Sequence, residues 1–173
     1  MLKEHLKSRH LNFELHRPML DEVNNVATFY LWNLSRQMTG FLQYRPDGTK
    51  DVNNDRDVGK YFHYTSKGCN SLSLFGVESL NLTPHVVFLT EGAFDAARLT
   101  EKGYSALALL CNDSNNDLKN FLKLLDRRVV AVCDNDKAGK KLAKFGHYSV
   151  VCEDKDLGES SDEFVNNLLR DYG

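Results

Sequence analysis

Two apolar runs in this chain end in acids. Val86 to Thr90 leads straight into Glu91 and Gly92, and Val129 to Cys133 leads into Asp134, Asn135 and Asp136. Carboxylates gathered at neighbouring strand ends repel one another until protons or a cation intervene. Hard oxygen donors suit Mg²⁺ or Mn²⁺, ions that keep several waters and share a substrate's phosphate oxygens. The chemistry such a site performs is phosphoryl transfer, in which oxygens are positioned and developing charge is neutralised.

Neighbouring residues sharpen the pattern. Gly92 lets the backbone turn sharply and lets a bulky anion approach. Asp95 falls in the first turn of the next helix, four residues after Glu91. It is either a further member of the acid cluster or a helix-terminus charge worth a few tenths to about 1 kcal/mol. Asp134 and Asp136 share a face if strand geometry continues; otherwise the pair is a turn whose side chains cap the helix behind it. Gly139 permits close packing where that helix begins.

The elements that must position these acids can be read from the hydrophobic pattern. Each five-residue run lacks polar alternation and so reads as a strand covered on both faces. The chain from residue 84 onward alternates: strand 86–90, helix 93–102, strand 105–110, helix 115–125, strand 129–133, helix 137–145, strand 148–152. Strands of about five residues separated by helices of about ten fit βαβ units and a parallel sheet. Ligand sites in such sheets lie at the carboxyl ends of the strands, where Glu91 and Asp134 fall. Residues 1–25 mix charge with Leu and Met and predict one or two short helices around the Arg17–Pro18 break. Residues 26–80 are β-rich: 27–34 and 38–44 read as an antiparallel hairpin or meander, 49–60 as a polar loop, and 61–64 and 71–75 as short strands. The expected domains are therefore a mixed α+β unit over 1–83 and an α/β unit over 84–173.

Composition narrows the class. A formal charge of −2 over 173 residues excludes a globally basic nucleic-acid binder, while leaving room for a local basic groove. No run of 18 apolar residues and no signal-peptide core is present, so the expectation is a soluble intracellular protein with no membrane partner. Cys69, Cys111, Cys133 and Cys152 lack zinc-ligand spacing and predict buried free thiols. The histidines form no HxxxH or HExxH pattern and predict solvated or core-edge positions.

The acid-bearing segments resemble the Toprim domain shared by bacterial-type primases, topoisomerases and some nucleases. Its signature is a glutamate-glycine after one strand and a DxD after a later one, here Glu91-Gly92 and Asp134-Asn135-Asp136. The details are most similar to bacterial and phage DnaG-type primases. An aspartate recurs at Asp95, and Asp134 to Gly139 resembles the primase D-x-D-x-A-G. Upstream, Gly40 to Arg45, Lys60 to Tyr64 and Leu74 to Gly76 are similar to short primase segments.

The resemblance implies a Rossmann-like Toprim fold, with a mostly parallel four-stranded sheet flanked by helices. It implies metal-dependent nucleotidyl transfer: short RNA primers made on a single-stranded DNA template from ribonucleotides. By the same carry-over, Glu91, Asp134 and Asp136 are the catalytic candidates, and Asp95 and Asp162 join them as metal ligands. Arg45 and Lys60 contact template or nucleotide phosphates. Tyr44, Tyr61 and Tyr64 could stack on unpaired bases, with sheet packing as the competing role. Near the end of the domain primases carry an acidic pair; here Asp162 matches the second acid, Ser160 occupies the place of the first, and Asp156 or Glu159 could substitute. No zinc-binding module or following helical subdomain is expected, so a separate helicase or primase subunit is the implied partner, in the cytoplasm of a bacterial or phage-infected cell. Two other readings of the same acids stay open: a Toprim nuclease, and an inactive nucleic-acid or replisome binding module.

Overall fold

The computed structural model describes residues 1–50, 52, 54–68, 72–110, 116–152 and 156–173. Two sheets of four strands organise the chain. The first is antiparallel, in the order β1 (Met19–Asp21), β2 (Val26–Trp32), β3 (Met38–Tyr44), β4 (Tyr61–Thr65). It follows two short helices, α1 (Leu2–Ser8) and α2 (Phe13–His16). The second is parallel. Its strands β5 (Val86–Thr90), β6 (Ala106–Ala108), β7 (Arg128–Cys133) and β8 (Tyr148–Val151) lie in the order β6-β5-β7-β8. Helices α3 (Ala93–Glu101), α4 (Asn116–Leu124) and α5 (Lys137–Leu142) connect these strands, and α6 (Asp162–Tyr172) closes the chain.

β5, β6 and β7 beyond Arg128 are buried because each face has its own core, while β8, at the sheet edge, is largely exposed. Val86 and Phe88 of β5, with Val130 and Val132 of β7, pack against α3 and α6. Val87 and Leu89, with Val129 and Ala131, pack against Leu118 and Phe121 of α4 and Leu142 of α5. Strand residues i and i+1 point to opposite faces, so an unbroken apolar run feeds both cores. The first core also crosses residue 83: Leu2, Leu6 and Leu11 of the leader and Phe29, Leu42 and Tyr44 of the antiparallel sheet join Phe94 and Val165 in it.

Several boundaries differ from the sequence expectation for identifiable reasons. β6 stops at Ala108 because Leu110 turns left-handed, at φ 57°, and donates its N–H to the Glu91 carbonyl at 3.0 Å. The expected helix over 137–145 ends at Leu142 and tightens into a 3₁₀ turn over Ala143–Phe145. Of the expected strand over 71–75, residue 71 lies outside the described residues; Leu74 and Phe75 form isolated bridges, to Trp32 and to Ala108. The start of the expected 115–125 helix also falls outside them.

The leader carries more than the sequence announces. A left-handed Arg17 ends α2 and redirects the chain through Pro18 into β1, which pairs Met19 with Thr28. His16 is buried rather than solvated. Its Nδ1 lies 2.5 Å from Glu78 Oε1 and its Nε2 2.8 Å from Thr100 Oγ1, which ties α2 to α3. Cys133 and Cys152 are buried free thiols, with burial pushing them up to about 11 and about 12; Cys69 and Cys111 lie outside the described residues.

Candidate active site

β5 and β7 are adjacent and parallel, with Leu89 opposite Ala131, so their carboxyl ends open on the same side. A cavity of about 370 Å³ lies there, and Glu91, Asp95, Asp134 and Asp156 all contribute to its wall. Two separate strand ends and the turn before α6 thus converge on one acidic space.

The proton affinities record the crowding. Burial, then the charges of Asp134 and Asp136, push Glu91 up to about 7, with the Asp134 backbone N–H pulling partly the other way. Asp134 is raised by burial and by the charges of Asp156 and Asp136. Glu91 Oε1 is buried with no hydrogen-bond partner among the described residues. An orphaned carboxylate oxygen is costly unless a proton or a cation satisfies it.

Asp95 is the most enclosed of the acids, 7% exposed. Its Oδ2 accepts the Gly92 N–H at 3.1 Å, at the start of α3, and its Oδ1 accepts the Gly158 N–H at 2.7 Å. Burial pushes it up to about 7 against those two bonds, helped by Asp156 and Asp134. Both oxygens therefore brace backbone, locking the 157–159 turn onto α3. Arg98 reinforces the same lock, donating to the Gly158 carbonyl at 3.1 Å and to Asp162 at 3.0 Å.

Not every expected site residue comes to the cavity. Asp162 pairs with Arg98 and lies 3.8 Å from Lys102 Nζ, and it does not contribute to the acidic wall. Asp156 contributes instead, its Oδ1 accepting the Glu159 N–H at 2.9 Å. Ser160 donates its hydroxyl to the Asp156 carbonyl at 2.9 Å. Asp136 is exposed, does not contribute to the cavity wall and caps α5, accepting the Gly139 N–H at 2.8 Å. Gly139 is close-packed: a Cβ there would run into the Asp134 carbonyl oxygen. Arg45 lines a different cavity on the far face of the antiparallel sheet. Lys60 Nζ sits 5.9 Å from the Tyr44 ring centroid.

Sequence reasoning missed Arg9. The C-cap of α1, it lies over the Phe94 ring at 4.7 Å, reaches Glu159 at 3.2 Å and contributes a fixed positive charge to the acidic wall. Its Nε is buried without a partner among the described residues. The available signal is the Leu2, Leu6, Leu11 spacing, which marks the leader as packed rather than free. Tyr61 and His63 complete the wall from β4.

The donor set fits a hard divalent cation: carboxylates, an orphaned oxygen and mutual repulsion. Among the described residues no three His, Cys, Asp or Glu side chains close on one point as a finished metal cage. Carboxylate oxygens are the donors Mg²⁺ prefers, an ion that takes one or two of them and fills its shell with water and phosphate oxygens.

Residues 88–156 match the family model described as Toprim-like. The fold is similar to a DnaG catalytic core, with TM-score 0.70 and 16% identity over 97% of this chain and 72% of that one. It is similar also to the zinc-binding and RNA polymerase domains of Aquifex aeolicus primase, with TM-score 0.69 and 17% identity over 99% of this chain and 55% of that one. A DnaG primase catalytic domain bound to ssDNA matches with TM-score 0.65 and 17% identity, over 84% of this chain and 53% of that one. No curated protein matches the sequence. Residues 88–156 thus form a Toprim-like domain, and the chain as a whole has the fold of DnaG-type primase catalytic cores while spanning 53% to 72% of those chains. No helix among the described residues is long and apolar enough to cross a membrane.

Proposed function

We propose that this chain is a metal-dependent nucleotidyltransferase of the DnaG primase type, joining ribonucleotides into short primers on single-stranded DNA. The observation that carries the reading is the convergence of Glu91 and Asp134, from adjacent parallel strands, on one cavity where both are raised in proton affinity. Asp134 and Asp136, with Asp156 facing them, are the residues that would hold Mg²⁺ or Mn²⁺. When bound, the cation would neutralise charge on the phosphate oxygens of the incoming nucleotide.

Glu91 is the proton acceptor for the attacking 3′-hydroxyl. A carboxylate near 7 is well matched to taking a proton at neutral pH. Arg9, which lines the same cavity, would offer its guanidinium charge to a phosphate there. Asp95 positions: it fixes Gly92 and the 157–159 turn, so that Asp156 faces Asp134. Lys60, beside Tyr44, would contact template or nucleotide phosphates.

The test is a single incubation with unlabelled single-stranded DNA, labelled ribonucleotides and Mg²⁺ or Mn²⁺, run beside a labelled DNA strand. New short oligonucleotides are expected, and Glu91→Gln and Asp134→Asn should each lower their yield at least about 100-fold. Shortened labelled strand without new product would make the same acids those of a nuclease. Neither product, with DNA still bound, would make the chain a binding module. Full activity in both variants would remove the acids from the chemistry.

A further inference from the structure

The parallel sheet ends at β8, and that edge is open. Among the described residues β8 pairs only with β7; Tyr148, Ser149 and Val151 are exposed and Val150 is half-covered. The other edge strand, β6, is buried and bridged by Phe75. An edge strand displays a row of backbone N–H and C=O groups that another strand can pair with. Proteins ordinarily blunt such an edge with lysine, proline or a bulge. β8 has none of these: it reads Tyr-Ser-Val-Val, and its register with β7 runs from Tyr148 to Val151 without a shift. Tyr148 and Val151 are 50% and 48% exposed. The Tyr172 ring of α6 lies 5.7 Å from that of Tyr148 and widens the aromatic surface beside the edge.

At its amino end the edge meets a cavity of about 460 Å³ whose wall includes Lys123, Asp126, Arg127, Arg128, His147 and Tyr148. Three cations face one carboxylate there. Among the described residues, Lys123, Arg127 and Arg128 form no ion pair. Arg127 Nη1 donates to the Leu80 and Thr83 carbonyls, and Arg128 Nη2 to the Gly173 carbonyl at 3.3 Å. Both arginines are thus held in place without spending their charge on an acid. Lys123, in the last turn of α4, also offsets the helix dipole. That leaves the two arginines against Asp126 as the surplus. His147 Nδ1 accepts the Val129 N–H at 2.9 Å, so the neutral ring keeps its proton on Nε2 as a donor.

We propose that the β8 edge and this cavity form a docking site for an extended acidic segment of a partner protein. A strand of uncharged, β-forming residues pairs with β8, and an aspartate or glutamate at one end of it enters the basic cavity. Backbone pairing supplies the affinity, and the carboxylate fixes position and register. Four residues of β8 span roughly 13 Å at about 3.3 Å each, so a segment of similar length is held. The cavity lies at the amino ends of β7 and β8, whereas the acids gather at the carboxyl ends of β5 and β7. Docking therefore needs neither metal nor nucleotide, and stands apart from the function proposed above.

Fluorescence anisotropy of the intact chain with short labelled peptides is the test. The probes alternate valine and threonine and carry a pair of glutamates at the amino end in one peptide and at the carboxyl end in the other. At least one should bind, more weakly as salt rises. Replacing its glutamates with glutamine should weaken binding roughly fivefold, as should Arg128→Gln in the protein. Methylating alternate backbone nitrogens of the peptide should abolish binding in one phase and spare it in the other, because only every second N–H faces β8. Charge attraction alone would not distinguish the two phases. Binding by neither peptide would overturn the proposal, as would full affinity of the glutamine form or equal loss in both phases. A chain that sediments as a dimer dissociated by Val151→Lys would overturn it too, since a second copy would then occupy the edge.

Discussion

Asp95 illustrates how a residue at a catalytic spacing can do structural work. Its two oxygens hold two backbone N–H groups, 63 residues apart in one case, and the turn they fix presents Asp156 to the cavity. Asp95→Asn keeps one acceptor and turns an amide donor toward the other N–H. The expected loss is roughly 1–3 kcal/mol of stability, read as a lower urea midpoint at unchanged m-value. If Asp95→Asn kept full stability yet abolished cation binding, Asp95 would be a ligand rather than a brace. Glu91 differs in kind, because its Oε1 has nothing to hold. A brace is satisfied within the protein; an orphan awaits a proton, a cation or a substrate.

At the scale of elements, the strand ends decide the site, and they are the part most legible in the sequence. Buried parallel strands lose polar alternation, so β5 and β7 stand out as apolar runs, and the acids after them must fall at one sheet edge. The turns beyond the strand ends are less legible. Asp136 reads equally as ligand or cap, and the fold has it capping α5 through Gly139. Asp162 and Asp156 are indistinguishable by residue type; only the 157–159 turn, clamped by Asp95 and Arg98, turns one inward and leaves the other on Arg98. Gly139 carries a testable part of this geometry. An alanine there must push α5 away from the Asp134 carbonyl, at an expected cost of about 1–3 kcal/mol. Calorimetry of Gly139→Ala checks this; a melting temperature equal to that of the unaltered chain would mean the turn yields freely.

Over the whole molecule, the leader is the least legible segment and among the most consequential. Nothing local says that Arg9 meets Phe94, Glu159 and the acid cavity, since its position depends on Leu2, Leu6 and Leu11 joining a core built from both sheets. The molecule also stores charge repulsion that pH can reveal. Glu91 and Asp95 both stand at about 7 in the fold, well above ordinary carboxylates. The folded state therefore holds protons that the unfolded chain releases, so this stability is complete below about pH 4 and is lost as pH rises through 7. In chelator, the melting temperature should fall between about pH 5 and about pH 8, and Glu91→Gln should make that fall shallower. An equal fall in Glu91→Gln would assign the repulsion elsewhere.

A cation held by these acids must reverse that loss, which makes cation-dependent stability the most direct measurement of the central claim. At about pH 8, Mg²⁺ at 100 times its dissociation constant should stabilise the chain by about 2.7 kcal/mol, seen as a rise in melting temperature. Asp134→Asn should abolish most of the rise. A chain indifferent to Mg²⁺ and Mn²⁺, or an Asp134→Asn variant with the full rise, would contradict the account.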